Sequence, residues 1–352
     1  MKPPKPGQKY SPLGQLVLAR LREFFRQPEV VFWVYGFPIL MVVALGIAFR
    51  NRPVEQIRVD VQDSSYSSGV ADALGASPKF KVQRGDADIC RLRLRTGKTD
   101  LVVIANTGRQ YEYFYDPTRP ESLLARNSVD DALQRAAGRK DVAEPTDKEL
   151  TEPGARYIDF LVPGLLGMGL MGGGLWGVGF VIVDMRIRRL LKRFIATPMK
   201  KHHFLAGIML SRFLFMVPEI VILLLFSWLA FDVRVQGSLL TMMVFIFLGA
   251  FTFAGIGLLV GSRANTLETV SGLMNLVMLP MWILSGIFFS SDRFPAATQP
   301  FIKILPLTPL INALRAVVLE GHSLTQLLPE AGILAAWGVV TFALALRWFR
   351  WT

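Results

Sequence analysis

Gly97-Lys98-Thr99 closes the stretch RLRLRTGKTD, and a glycine-lysine-threonine run is the tail of a loop that cradles nucleotide phosphates with backbone N–H groups. The full loop also needs a glycine at position 92, where the chain has Leu92, and a strand leading into it. The flanking residues here read as helix end, turn, then strand, so the match is a coincidence. His202 and His203 are adjacent, His322 lies far along the chain, and neither a His-Glu-x-x-His run nor a second cysteine accompanies them, so no metal site takes shape. VSGLM and LSGIF lack the Gly-x-Ser-x-Gly frame of a nucleophile elbow. No catalytic set is visible, and the chain is expected to be no enzyme and to bind no metal or cofactor itself. Two features remain. Asp159, Arg212 and Glu219 interrupt long apolar runs, and residues 184–203, DMRIRRLLKRFIATPMKKHH, hold seven cations and one acid.

The elements that must position them are set by hydrophobicity. Apolar residues make up 52% of 352 residues. An α-helix rises ~1.5 Å per residue, so about twenty apolar residues cross a ~30 Å hydrocarbon core. In lipid the backbone must satisfy its own polar groups, which makes such runs helices. Six are expected: 30–49, 157–183, 204–231, 239–260, 270–289 and 327–346. The first is too long for a signal-peptide core and lacks a small-residue cleavage site, so it is expected to stay as an anchor.

The net charge of +12 is not spread evenly. Residues 50–156 carry 18 Lys/Arg against 17 Asp/Glu, whereas the first 29 residues have six basic and two acidic side chains. Short cationic segments beside spans mark the cytoplasmic side. Both termini (1–29 and 347–352) and the 184–203 loop are therefore expected inside, with 50–156 and 290–326 outside. This accounts for the charge without nucleic acid. One cysteine, Cys90, precludes an internal disulfide. Together with the lack of an Asn-x-Ser/Thr acceptor in 50–156, that suits a bacterial inner membrane.

SPLGQLVLARLREFFRQPE reads as a helix capped by Ser11 and stopped by Pro28. Leu13, Leu16, Val17, Leu21, Phe24 and Phe25 form its apolar stripe, with Arg20 snorkelling from the edge, as in a helix lying flat on a membrane. Residues 50–156 alternate strand-like IRVDVQD, TDLVVIA and QYEYFYD with helix-like SSGVADALG and PESLLARNSVDDALQRAAG, an α+β domain of its own. The fold class is thus a six-span α-helical membrane protein with an inserted extracytoplasmic α+β domain. FIKILPLTPLINALRAVVL, inside 290–326, is too proline-broken to span and too apolar for a free loop; half-helices dipping into the outer leaflet or a surface lid both fit.

Within the second run, Gly169, Gly173 and Gly177 leave one helical face nearly bare, suited to close packing within the chain or against a subunit or gate. Asp159 and Arg212 sit near span ends, within reach of water. Glu219, after Pro218 in mid-span, needs a partner or a polar cavity along a translocation path. In the basic loop, Asp184 can cap and Pro198 can stop a helix whose Ile187, Leu190, Leu191, Phe194 and Ile195 share a face. Arg186, Arg188, Arg189, Lys192 and Arg193 fill the others. Such a helix can hold anionic lipid headgroups or dock on a soluble partner.

The order of a flat helix, one span, an inserted domain and then YIDFLVPGLLGMGLM resembles the membrane subunit of ABC-2 type exporters. So do DMRIRRLLKRFIATPM, GLLVGSRANTLETVSGLMNLVMLPMWILSGIFFSSDRFP and LPLTPLINALRAVVLEG, in the same order. The likeness covers nearly the whole chain, most specifically Tyr157 to Gly321. YFYDPTRPES looks like the inserted domain of a drug- or lipid-exporting branch. The resemblance implies that Met185–Thr197 is the coupling helix on an ATPase subunit, with Arg186, Arg189, Lys192, Arg193 and Phe194 docking. It implies that Ser291–His322 is an outer re-entrant hairpin and that the N-terminal helix connects to the spans. It also implies two ATPase subunits holding ATP and Mg, and a second permease, the same or related. The competing classes are a membrane sensor or assembly platform using the inserted domain, and an ion-coupled carrier.

Overall fold

The computed structural model describes residues 12–50, 56–107, 110–140, 143, 146, 156–190 and 201–348. They divide into a helical unit and a smaller unit over Asn51–Glu149. The helical unit holds six helices long and apolar enough to cross a membrane: Pro28–Phe49, Tyr157–Ile187, Gly207–Phe231, Leu239–Gly261, Leu267–Leu284 and Leu328–Trp348. The second runs four residues past the expected end at Val183, because nothing in Asp184-Met185-Arg186-Ile187 breaks a helix. Asp184 is therefore not a cap; it sits inside that last turn and pairs with Arg188 at 2.8 Å. The expected capping role of Ser11 lies outside the described residues.

The second and fourth spans are the centre of the unit, with 56% and 61% of their most apolar stretches buried against 17% to 22% for the first, fifth and sixth. Glycine makes their approach possible. A Cβ on Gly174 would lie 2.5 Å from the carbonyl carbon of Phe253 and 2.8 Å from the nitrogen of Ala254. One on Gly261 would lie 2.8 Å from the Gly179 carbonyl oxygen, and one on Gly257 would lie 3.0 Å from Leu175 Cα. With backbone against backbone, dispersion contacts replace the hydrophobic drive that lipid does not supply. Phe245, Phe253, Leu161 and Leu175 fill the surrounding space, each fully buried. The sixth span joins through Gly255 and Gly338, where Thr252 Oγ1 donates to the Leu334 carbonyl at 2.9 Å.

Ala296–Ile304 and Leu307–Glu320 are two short helices bent by 89°. Leu307, Leu310, Ile311 and Leu314 are fully buried, which explains why so apolar a segment is no free loop. Arg315 holds the bend to its neighbours: its guanidinium lies 3.6 Å from the Phe160 ring centre and donates to the carbonyls of Gly286 (2.9 Å) and Phe160 (3.3 Å). The backbone N–H groups of Gln236 and Gly237 cap the far end on Val318 and Val317.

The N-terminal helix, Pro12–Phe25, packs along the third span. Leu16 lies over Gly207, and Phe24 stacks on Phe215 with ring centres 4.1 Å apart. Arg20 falls between Leu16 and Phe24 on the buried side, while Phe25 is exposed rather than part of the stripe.

The inserted unit is a four-stranded sheet in the order β2-β1-β3-β4, with β1 Ile57–Gln62, β2 Phe80–Gly85, β3 Leu101–Thr107 and β4 Gln110–Phe114. β1 pairs in parallel with β2 and β3, and β4 returns antiparallel. Val59, Val61, Leu101, Val103 and Ala105 alternate onto one face, against Val70 and Leu74 of helix Ser67–Gly75 and Val129 and Leu133 of helix Pro120–Ala136. On the other face Asp60 accepts from Arg93 at 2.7 Å, and Asp100 pairs with Arg58 at 2.7 Å. β2 escaped the pattern analysis because only Phe80 of FKVQRG is buried, as suits an edge strand.

Cys90 is buried in this unit and directs its thiol to the Gly85 carbonyl at 3.5 Å. Burial first, then the charges of Asp60, Asp63 and Asp86, push its pKa up to about 11. The neutral thiol is favoured, so reactivity should rise about tenfold per pH unit up to that value. At pH 7.5 maleimide should modify it roughly 300-fold more slowly than an exposed cysteine of pKa ~8.5. Mass spectrometry of timed samples checks this, and labelling as fast as for a model peptide would show that the thiol is not held this way.

Candidate functional site

Two turns of helix set the polar centre of the helical unit. Arg212 and Glu219 are seven residues apart on the third span and so share a face. Each side chain is 10% exposed, and Arg212 donates to Glu219 Oε2 at 3.0 Å. Expected to reach water from near the span end, Arg212 instead turns inward to this carboxylate. The pair lies against the bare face of the second span. Side chains at Gly169, Gly173 and Gly177 would run into Glu219 Oε1, the Arg212 guanidinium and Arg212 Cδ respectively. The glycine stripe thus makes room for an ion pair within the chain. The tight approach of helix to helix falls to Gly174, Gly179, Gly257 and Gly261 instead.

Asp159 is likewise buried rather than water-facing. Arg156 donates to it from two nitrogens, at 2.9 and 2.8 Å, and also to the Phe231 carbonyl at 2.8 Å. The start of the second span is thereby joined to the end of the third. Asp159, Arg212 and Glu219 thus all have partners in the fold, which lowers the cost of carrying them there.

At the opposite end of the second span, Arg186 turns into the protein. It donates to the carbonyls of Gly261 (3.1 Å) and Ala264 (3.0 Å), where the fourth helix ends and would otherwise leave acceptors unsatisfied. Arg186 thus joins the ends of the second and fourth spans. Helix geometry stops at Ile187, and Arg189 adopts a left-handed backbone at φ 57°. That conformation is uncommon for a side chain of this size and turns the chain sharply. Within the described part of Met185–Thr197 the helix thus breaks at Arg188 and Arg189. Arg189 is exposed just past the break. Lys192, Arg193 and Phe194 lie outside the described residues.

Among the described residues no cluster of three or more His, Cys, Asp or Glu could hold a metal ion. His322 faces Glu320 at 3.4 Å on the surface. Gly97 sits in a turn between helix Ala87–Arg95 and β3, the reverse of the strand-loop-helix order that a phosphate loop requires.

Residues 28–347 match the family model described as ABC-2 family transporter protein. The chain belongs to the ABC-2 transporter family. It is 26% identical over 174 residues to the linearmycin resistance permease protein LnrN of Bacillus subtilis, covering 49% of this chain and 45% of that one. It is 28% identical over 120 residues to the inner membrane transport permease YhhJ of Escherichia coli (34% and 32% covered). Against YadH of the same organism it is 26% identical over 165 residues (46% and 63%). The matched segments thus span between a third and two thirds of these relatives. In this ABC-2 protein two features escaped sequence analysis: the Arg212–Glu219 pair, although its spacing of seven is a legible signal, and the Arg186 clamp, which needs the end of a distant span.

Proposed function

We propose that this ABC-2 protein is the permease subunit of an ATP-driven exporter in a bacterial inner membrane, with both termini in the cytoplasm. Two copies of a separate ATPase, carrying ATP and Mg, would supply the energy, and a second permease, identical or related, would complete the pathway. The observation that carries the proposal is the mechanical joining at the basic end of the second span. Arg186 ties that end to the fourth span, and glycine contacts hold the two helices backbone to backbone. A pull applied at Arg189 and the cations after it would move both buried spans as one body, as alternation between inward- and outward-open states requires. Its cargo would be an amphipathic small molecule, lipid or glycan precursor; the Bacillus relative is a permease tied by name to linearmycin resistance.

The test is purification of the tagged chain from its native membrane in mild detergent, with co-eluting proteins identified and ATP hydrolysis assayed. An ATP-binding partner is expected. Arg189→Glu with Arg193→Glu should preserve expression and size-exclusion profile yet abolish partner binding and lower transport at least tenfold, since reversed charges oppose docking. Unchanged transport by that double variant would overturn the docking role. Cargo movement driven by an ion gradient without ATP would favour a secondary carrier, and a lone chain whose inserted domain binds ligand would favour a sensor.

A further inference from the structure

The face of the inserted sheet opposite the helices Ser67–Gly75 and Pro120–Ala136 is only partly covered. Helix Ala87–Arg95 walls one side and the turn after β4 walls the other, leaving a cleft of about 320 Å³. Its floor is apolar: Val102 is buried, Ile104 and Leu94 are half-buried, and Phe114 is 40% exposed. Its rim is cationic, with Arg91, Arg95 and Arg119. Arg119 lies 3.6 Å from Asp100, a carboxylate already held by Arg58 at 2.7 Å. Arg91 and Arg95 are exposed and have no carboxylate within ion-pair distance among the described residues. Asp116 is the single acid in the lining, and its carboxylate is turned to the backbone N–H and hydroxyl of Thr118, at 2.9 and 2.6 Å.

A floor that gains by losing water and a rim with unspent positive charge ask for a ligand with both properties. We propose that this cleft binds one anionic amphiphile, a single alkyl chain on the Val102, Ile104 and Phe114 floor with its acidic headgroup at the arginine rim. A free inorganic anion would leave the floor wet, and an uncharged chain would leave the arginines without a counter-charge. The volume is at the lower end of small-ligand sites, so the chain is short or only partly enclosed. The inference stands independently of the permease assignment, because every residue in it belongs to the inserted domain.

The experiment is calorimetric titration of the full chain in lipid nanodiscs with monooctyl phosphate, and with octanol and inorganic phosphate as separate ligands; empty nanodiscs give the membrane-partition blank. Saturable binding of one octyl phosphate per chain is expected, with octanol and inorganic phosphate each at least about tenfold weaker, because each loses one of two contributions. Arg91→Gln with Arg95→Gln should weaken octyl phosphate by about tenfold or more, with the slow modification of Cys90 confirming that the domain is still folded. Phe114→Ser should weaken octyl phosphate by roughly fivefold while leaving inorganic phosphate unchanged. Heat no different from empty nanodiscs, undiminished binding by the arginine variant, or inorganic phosphate bound as tightly as octyl phosphate would each overturn the proposal.

Discussion

Glu219→Leu is expected to lower the stability of the helical unit by about 3–5 kcal/mol, the cost of stranding one partner of a buried ion pair. Among the described residues Arg212 would keep only the Gly169 carbonyl, 3.5 Å away, which is too long to compensate a guanidinium beside lipid-embedded helices. Neither charge can swing out to water, because each side chain is 10% exposed and lies in the groove left by Gly169 and Gly173. Heating detergent extracts in steps and following the monodisperse peak by size exclusion would register the loss as a lower midpoint. The decisive control is Arg212→Met combined with Glu219→Leu. Removing both charges removes the need for pairing, so the double variant should recover most of the loss. A single variant as stable as the parent would show that the pair does not carry this charge balance. A double variant no better than the single one would place the cost in packing rather than in the charges.

The second large effect separates neighbouring glycines. Gly174→Ala should destabilise by about 3 kcal/mol or more, at or above the usual range for overpacking, because its methyl would meet the backbone of Phe253 and Ala254. A side chain can rotate away from a new methyl; a backbone in the next span can move only if the whole helix moves. Gly172→Ala should be neutral or mildly stabilising, since nothing lies within 4 Å of the new atom and alanine favours helix over glycine by about 1 kcal/mol. The same thermal assay compares the two. Equal midpoints for both variants would mean that the second and fourth spans are not in backbone contact at Gly174.

The six crossings were legible because lipid imposes a length and a composition on any helix that traverses it, and both are local properties. The family was legible from ordered stretches such as YIDFLVPGLLGMGLM and LPLTPLINALRAVVLEG. What each span touches was not, because contact depends on partners far along the chain. Nothing near Arg186 indicates that its acceptors are Gly261 and Ala264. Arg212 and Glu219 could have been paired on the page, since a spacing of seven returns to the same face and both side chains are long. Gly174 and Gly179 were hidden for a different reason. Five residues apart on a regular α-helix, they would point about 140° from one another. They both face the fourth span because Leu175–Phe180 is a π-helical turn, in which five residues close roughly one circuit.

That turn makes the number of residues here a matter of phase. In a straight helix each residue added or removed rotates everything beyond it by about 100°. Between Gly174 and Val181 the chain carries the surplus that sets the angle at which the rest of the span leaves. Losing one residue from Leu175–Phe180 would barely shorten the helix. It would let the turn close as regular α-helix, four steps of about 100° leaving Gly179 within about 40° of Gly174 and still facing Gly257. The same loss between Val181 and Met185, where there is no surplus, would turn Arg186 away from Gly261 and Ala264. This stretch therefore acts as a fixed angular offset between the half of the span that faces the ion pair and the half that ends at the basic loop. An exchanged side chain disturbs one contact, whereas a residue lost outside this turn rotates every contact beyond it.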